Sequence, residues 1–260
     1  MMIRKEDIIT TDAYLQAFSN NYFKIDVLIS RVPIYWRGKL HYSPTPHSKL
    51  LITGHGDLGV TKELFSIYSP SVWWTVNKEF DDNRIHSLPL GITNNCNDTH
   101  IHPIYGNLDI MVDVMNTPRN IKNKVYMNFN VSTYPNERQS VYNYFKNMKW
   151  VTEGQIVNTL EGRKTFLQDI RNHEFVLCPR GGGIDTHRMW ETLYMGSIPI
   201  VKRHIAMNDF SDLPICWIND WSEVTPEFLD SELKRIQSGI FNMEKLKIGY
   251  WIKSIQDSIK

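Results

Sequence analysis

The chain predicts an α/β protein built on parallel sheet. Three observations carry that prediction. In the second half, apolar runs of strand length alternate with segments of helical periodicity, the pattern of a parallel sheet covered on both faces. One of those runs, at Glu174 to Cys178, leads directly into a glycine loop and then a helix start. The length of 260 residues allows one large domain or two small ones, each able to bury a core.

The elements follow in order. Lys49 to Ile52, Val72 to Val76 and Ser87 to Leu90 read as strands, with a helix from Thr61 to Tyr68 between the first two. A polar stretch from Asn94 to Asn107 lacks periodicity. Thr117-Pro118 breaks structure, so the expected division is residues 1–117 and 118–260. Lys124 to Asn130 reads as a strand, and Pro135 and Asn136 open a helix with Val141, Tyr144, Phe145 and Met148 on one face. A short strand near Trp150 and a helix from Arg163 to His173 come next, with Phe166, Leu167 and Ile170 inward. Arg180 to Gly183 is a loop. Asp185 is placed to cap the following helix, which stops at Gly196. Ile198 to Val201 is the next strand. The tail from Ile240 to Ile259 is amphipathic and reads as a helix packed on one or both halves.

Composition excludes several classes. A formal net charge of +1 does not suit a nucleic-acid binder that works by counterion release. Cys96, Cys178 and Cys216 are odd in number and form no CxxC pair, which argues against a zinc knuckle or a disulfide framework. They read as free thiols of a reducing compartment, so a cytoplasmic protein is expected. No apolar run has signal-peptide or membrane-spanning length. His100 and His102 lack a third ligand nearby, and Asp81-Asp82 reads as a loop. No metal or cofactor is expected.

The segment Phe175 to Val201 (FVLCPRGGGIDTHRMWETLYMGSIPIV) concentrates the chemistry. Gly181, Gly182 and Gly183 permit close approach of a ligand to the backbone. The helix start at Asp185, Thr186 and His187 offers amide donors and partial positive charge, which favour phosphate. Arg180 and Arg188 bracket that point, and guanidinium groups bind phosphate oxygens in pairs. Arg188 and Glu191 share a helix face, so one can meet phosphate while the other accepts from a ribose. Arg138, at the start of the helix after Asn128 to Asn130, is a further phosphate candidate.

This segment resembles the donor-site signature of exostosin-type glycosyltransferases: a strand ending in Pro, a glycine loop, Arg then Glu on a helix, and Gly-x-Ile-Pro-Val. The later stretch Asp212 to Trp221 (DLPICWINDW) resembles the pattern that precedes their terminal helix. The resemblance runs from about Lys124 to Leu229 and is nearest to compact stand-alone members. Ile184 to His187 departs from the Ser-rich turn usual there, and the N-terminal half is shorter than in most members. The resemblance implies a GT-B-like fold, two Rossmann-like domains facing a central cleft. It also implies a nucleotide-sugar donor, UDP first, in the C-terminal domain, a glycan acceptor on the N-terminal side, an Arg near position 138, and inversion.

Gly54 to Gly59 (GHGDLG) matches the GxGxxG dinucleotide fingerprint. On that basis the alternative is a nicotinamide- or flavin-linked oxidoreductase; a non-catalytic glycan or nucleotide binder of the same fold is another. In the transferase reading the loop faces the cleft, and Asp57, with His55 as alternate, is the expected general base.

Overall fold

The computed structural model describes residues 3–14, 17, 27–30, 49–54, 56–96 and 99–260, with residues 27–30 described by their backbone. The fold is mixed α/β with two parallel sheets. The first has four strands in the order β1 (Val27–Ser30), β2 (Leu50–Thr53), β3 (Val72–Thr75) and β4 (Ile85–Ser87). The second has five. They are β5 (Asn123–Met127), β6 (Val151–Glu153), β7 (His173–Leu177), β8 (Ile198–Lys202) and β9 (Cys216–Ile218), arranged β6-β5-β7-β8-β9 and all parallel.

The helices form where side chains satisfy their free amides. Thr61, Thr159 and Thr225 accept from Leu64 N, Gly162 N and Phe228 N and so open Lys62–Tyr68, Leu160–Arg171 and Pro226–Ser238. The helix His187–Tyr194 departs from expectation. Its N-cap is Thr186, which makes no side-chain cap bond. Asp185 instead accepts from Leu90 N of the other half at 2.7 Å and from Trp190 Nε1 at 2.9 Å. Gly196 ends that stretch at φ +76°, as a glycine can. Of the strands, β1, lying before Lys49, and β9, inside the Leu-Pro…Trp segment, have no counterpart in the periodicity reading.

One apolar core runs through both halves, from Ile9, Ile52 and Trp74 to Trp190, Phe210 and Trp251. The tail helix Ile248–Asp257 packs as expected of it: Trp251 meets Phe210 edge-on and lies beside Trp74, whose Nε1 donates to Ser258 Oγ at 3.0 Å. Tyr194 ties three segments, accepting from Ile9 N at 2.9 Å and donating to Leu246 O at 2.8 Å. The expected division at residue 117 falls between the helix Leu108–Met115 and β5. The Leu108–Met115 helix packs against Leu160–Arg171, and Arg119 in the connection donates to the carbonyls of Arg171, His173 and Gly196. No helix among the described residues is long and apolar enough to cross a membrane.

Candidate functional site

The order of the second sheet locates a crevice. β5 lies between β6 and β7, so the chain leaves β5 toward one edge and returns on its other side. The loops after β5 and β7 therefore diverge, and ligands of open parallel sheets bind where that happens. A cavity of about 310 Å³ sits there. Asn128, Phe129 and Asn130 line it from the end of β5, Leu177 and Pro179 from the end of β7, and Arg163 and Phe166 from the helix after β6. A larger cavity of about 490 Å³ opens toward the first half and shares Tyr105, Thr133, Arg138 and Arg188 with the first.

Arg138 and Arg188 meet at the shared wall, and Arg163 lines the smaller cavity. The Arg163 side chain is wholly buried, with Nη1 2.6 Å from Glu191 Oε1. Its Nε and Nη2 have no hydrogen-bond partner. Arg188 lies over the Phe166 ring at 4.4 Å, reaches Glu191 Oε2 at 3.4 Å, and leaves Nη1 buried and unpartnered. Arg138 donates to the carbonyls of Arg180, Asn130 and Pro179, and burial pushes its guanidinium down to about 10, with Arg188 adding to the effect. Burial raises the Glu191 carboxyl, but Arg163 and Arg188 together outweigh it and hold the group below its ordinary range, so it is ionised. Two guanidiniums on one carboxylate, with a third, Arg138, bonded only to backbone carbonyls, leave positive charge in excess in the cavity walls. Buried unpaired guanidinium donors are costly, and an anion with several oxygens is what satisfies them.

The glycine loop has a different arrangement from the one expected. Asp57 Oδ1 accepts from Gly183 N at 3.1 Å, and the buried Asn77 accepts from Ile184 N at 3.0 Å and Asp185 N at 2.8 Å. These amides join the two halves, which takes Gly183 and Asp185 out of the expected set of backbone phosphate donors. A Cβ on Gly182 would lie 2.4 Å from Asp57 Oδ2, and one on Gly183 2.6 Å from Asn77 Nδ2, so the close approach the glycines allow is to protein. Gly181 bonds within the loop, to Gly183 O. Arg180 folds back on Gly182 O at 2.9 Å and stacks on Tyr134 at 4.5 Å; it lines neither cavity. Gly181, Gly182, Gly183, Asp185, Thr186, His187, Arg188 and Glu191 all line the larger cavity, as do Asp57 and His102. His55 lies outside the described residues. The Gly54 to Gly59 loop is packed as well: a Cβ on Gly59 would meet Glu79 at 2.4 Å and Asn77 O at 2.5 Å. The third glycine of the GxGxxG pattern is thus packed against protein, and the oxidoreductase alternative gains no support from it. Among the described residues no group of three His, Cys, Asp or Glu is placed to hold a metal ion.

Residues 105–260 match the family model described as the RXYLT1 C-terminal domain. The chain belongs to that family. No curated protein matches it. Among solved structures, it is similar to an alpha,alpha-trehalose-phosphate synthase (UDP-forming) from Burkholderia vietnamiensis, with a TM-score of 0.34 and 7% identity over 83% of this chain. The chain spans 62% of the length of that synthase chain.

The RXYLT1 C-terminal domain match takes in Arg138, Arg163, Arg188 and Glu191, and with them the second sheet. Arg163 is the member that periodicity passed over. Its signal was present: Arg163, Phe166, Leu167 and Ile170 fall on one helix face, and a charge on an apolar face is informative.

The buried Asp185 also sets a pH dependence. Burial pushes its carboxyl from an ordinary 3.8 up to about 7, against the bonds it accepts from Leu90, Trp190 and Thr186. Between those values the folded chain holds a proton that the unfolded chain has released. The group's contribution to stability is therefore complete below about pH 4 and is lost as the pH rises through about 7. In denaturant titrations, the stability of wild type minus that of Asp185→Asn should fall by up to about 4 kcal/mol across that window. A difference that stays flat with pH would show that Asp185 does not change its protonation on folding.

Proposed function

We propose that this chain is a glycosyltransferase that moves a sugar from a nucleotide-sugar donor, a UDP-sugar first, to a glycan hydroxyl. Transfer is by single displacement with inversion at the anomeric carbon, in a GT-B-like arrangement of the two halves. Membership of the xylosyltransferase-related RXYLT1 C-terminal domain family supports the reaction class. The observation that carries the site is the trio Arg138, Arg163 and Arg188 lining the cavity at the strand-order reversal, with buried, unpartnered guanidinium donors on Arg163 and Arg188.

In this reading the nucleoside occupies the smaller cavity. The diphosphate lies at the wall common to both, against Arg138 and Arg188 and the first-turn amides of the helix His187–Tyr194, with Arg163 on the side of the smaller cavity. The sugar and the acceptor take the larger cavity. As the bond from the anomeric carbon to the diphosphate oxygen breaks, its electron pair stays on the leaving group. The guanidiniums meet that charge in place before the reaction starts, so little reorganisation is needed. Glu191 holds Arg163 and Arg188 in position.

The test is a panel of UDP-sugars, UDP-xylose among them, and GDP-sugars. One donor should release nucleotide slowly alone and faster with a glycan acceptor. Nucleotide binding with no hydrolysis or transfer from any donor would favour the non-catalytic binder. Because arginines supply the charge at the leaving group, saturating chelator should leave most of the rate intact. A loss restored by manganese or magnesium would reveal a metal requirement.

A further inference from the structure

At the end of β5 the smaller cavity meets a carboxamide whose two ends can be told apart. Asn128 is 4% exposed and lines that cavity together with Gln155, Ile156 and Val157 of the loop after β6. Its Nδ2 donates to Gln155 O at 3.0 Å and to Tyr126 Oη at 2.9 Å. A carbonyl oxygen only accepts, so the atom facing Gln155 O is the nitrogen, and the amide cannot be turned over. Both amide hydrogens are then taken. What Asn128 has left to offer is Oδ1, which accepts no hydrogen bond from the described residues. The loop that fixes it is itself seated. Gly154 N donates to Met127 O at 2.8 Å, and a Cβ on Gly154 would overlap Tyr126 Oη.

The same wall carries apolar surface. Ile156 and Val157 are 51% and 46% exposed although they line the cavity, and Phe129 lines it too. Large apolar side chains left open at a pocket suit the face of a flat ring. A fixed acceptor beside such faces suits a ring that carries an N–H on its edge. Pyrimidine bases differ at that edge. Uracil has N3–H between two carbonyl oxygens, whereas cytosine, of the same size, has a bare N3 lone pair. Against a fixed oxygen the first makes a hydrogen bond, and the second sets lone pair against lone pair.

We infer that Asn128 selects the nucleobase of the donor, its Oδ1 accepting from N3–H of uracil and rejecting cytosine. The assignment rests on the glycosyltransferase reading above, which puts the nucleoside in this cavity. Asn128 acts on binding alone, and the charge that develops on the diphosphate stays with the arginines.

The test is calorimetric titration of the whole chain with UDP, CDP and N3-methyl-UDP, in which a methyl group replaces the hydrogen that Asn128 reads. Wild type should bind each of the two analogues about 30-fold or more weaker than UDP, the scale of leaving one buried acceptor unpaired. Asn128→Ala should bring UDP and CDP within about threefold of each other, because the discriminating atom is gone. A merely structural asparagine would weaken both alike and keep their ratio. Wild type that binds either analogue as tightly as UDP, or a variant that keeps the wild-type ratio, would overturn the assignment and leave the donor site standing. A wild type that binds none of the three would overturn the UDP-donor reading, and this assignment with it.

Discussion

Arg163→Met should lower the stability of the folded chain by about 3–5 kcal/mol, the cost of leaving one member of a buried ion pair without its partner. The Arg163 and Glu191 side chains are 0% and 5% exposed, and their 2.6 Å contact is the shorter of the two that Glu191 makes. Methionine fills much of the volume but leaves the carboxylate with Arg188 alone at 3.4 Å. In a chain of this size the melting temperature should fall by about 10 °C. The double variant Arg163→Met with Glu191→Leu should recover much of the loss, because no charge is then stranded. Differential scanning calorimetry on the two variants decides the matter. A single variant within 1 kcal/mol of wild type would mean that solvent reaches Glu191 and the pair is not buried in solution.

The second large effect falls on binding. Arg188→Ala should weaken UDP by about 30-fold or more, about 2 kcal/mol, the scale of one charge-assisted contact to a phosphate. Its influence on stability should be smaller than that of Arg163, since the side chain is 19% exposed and its contact to Glu191 is longer. Part of the binding loss comes through geometry: the guanidinium stacks on Phe166 at 4.4 Å, which fixes where its unpartnered Nη1 points. Arg188→Lys should not restore affinity, because a point charge on a flexible stem keeps neither the stack nor the fork. Calorimetric titration with UDP is the measurement. Wild-type affinity in Arg188→Ala would remove this wall of the cavity from the donor site.

The two effects separate roles that the sequence joined. Arg188 and Glu191 read as a pair on one helix face, one for phosphate and one for ribose. In the folded chain Glu191 is first the counter-charge of Arg163, on the helix that follows β6. The sequence spacing could show that Arg188 and Glu191 share a face, because helical periodicity is local. Nothing local shows that a helix 28 positions earlier turns an arginine onto the same carboxylate.

By itself the sequence determined the layered α/β class, most strands and helices of the second half, and the segment that holds Arg188 and Glu191. Those features follow from period, capping residues and chain-breaking glycines, all written within a few residues of one another. It also carried the resemblance that pointed to sugar transfer. Only the tertiary structure decided the strand order β6-β5-β7-β8-β9 and so the place of the crevice. It brought in Arg163, and it spent the amides of Gly183, Ile184 and Asp185 on Asp57 and Asn77 rather than on a ligand. It also linked His187 to Gly91, 96 positions away. Each of these is a contact between segments distant in sequence. Such contacts are set by how sheets order and how halves pack, and periodicity along the chain holds no record of them.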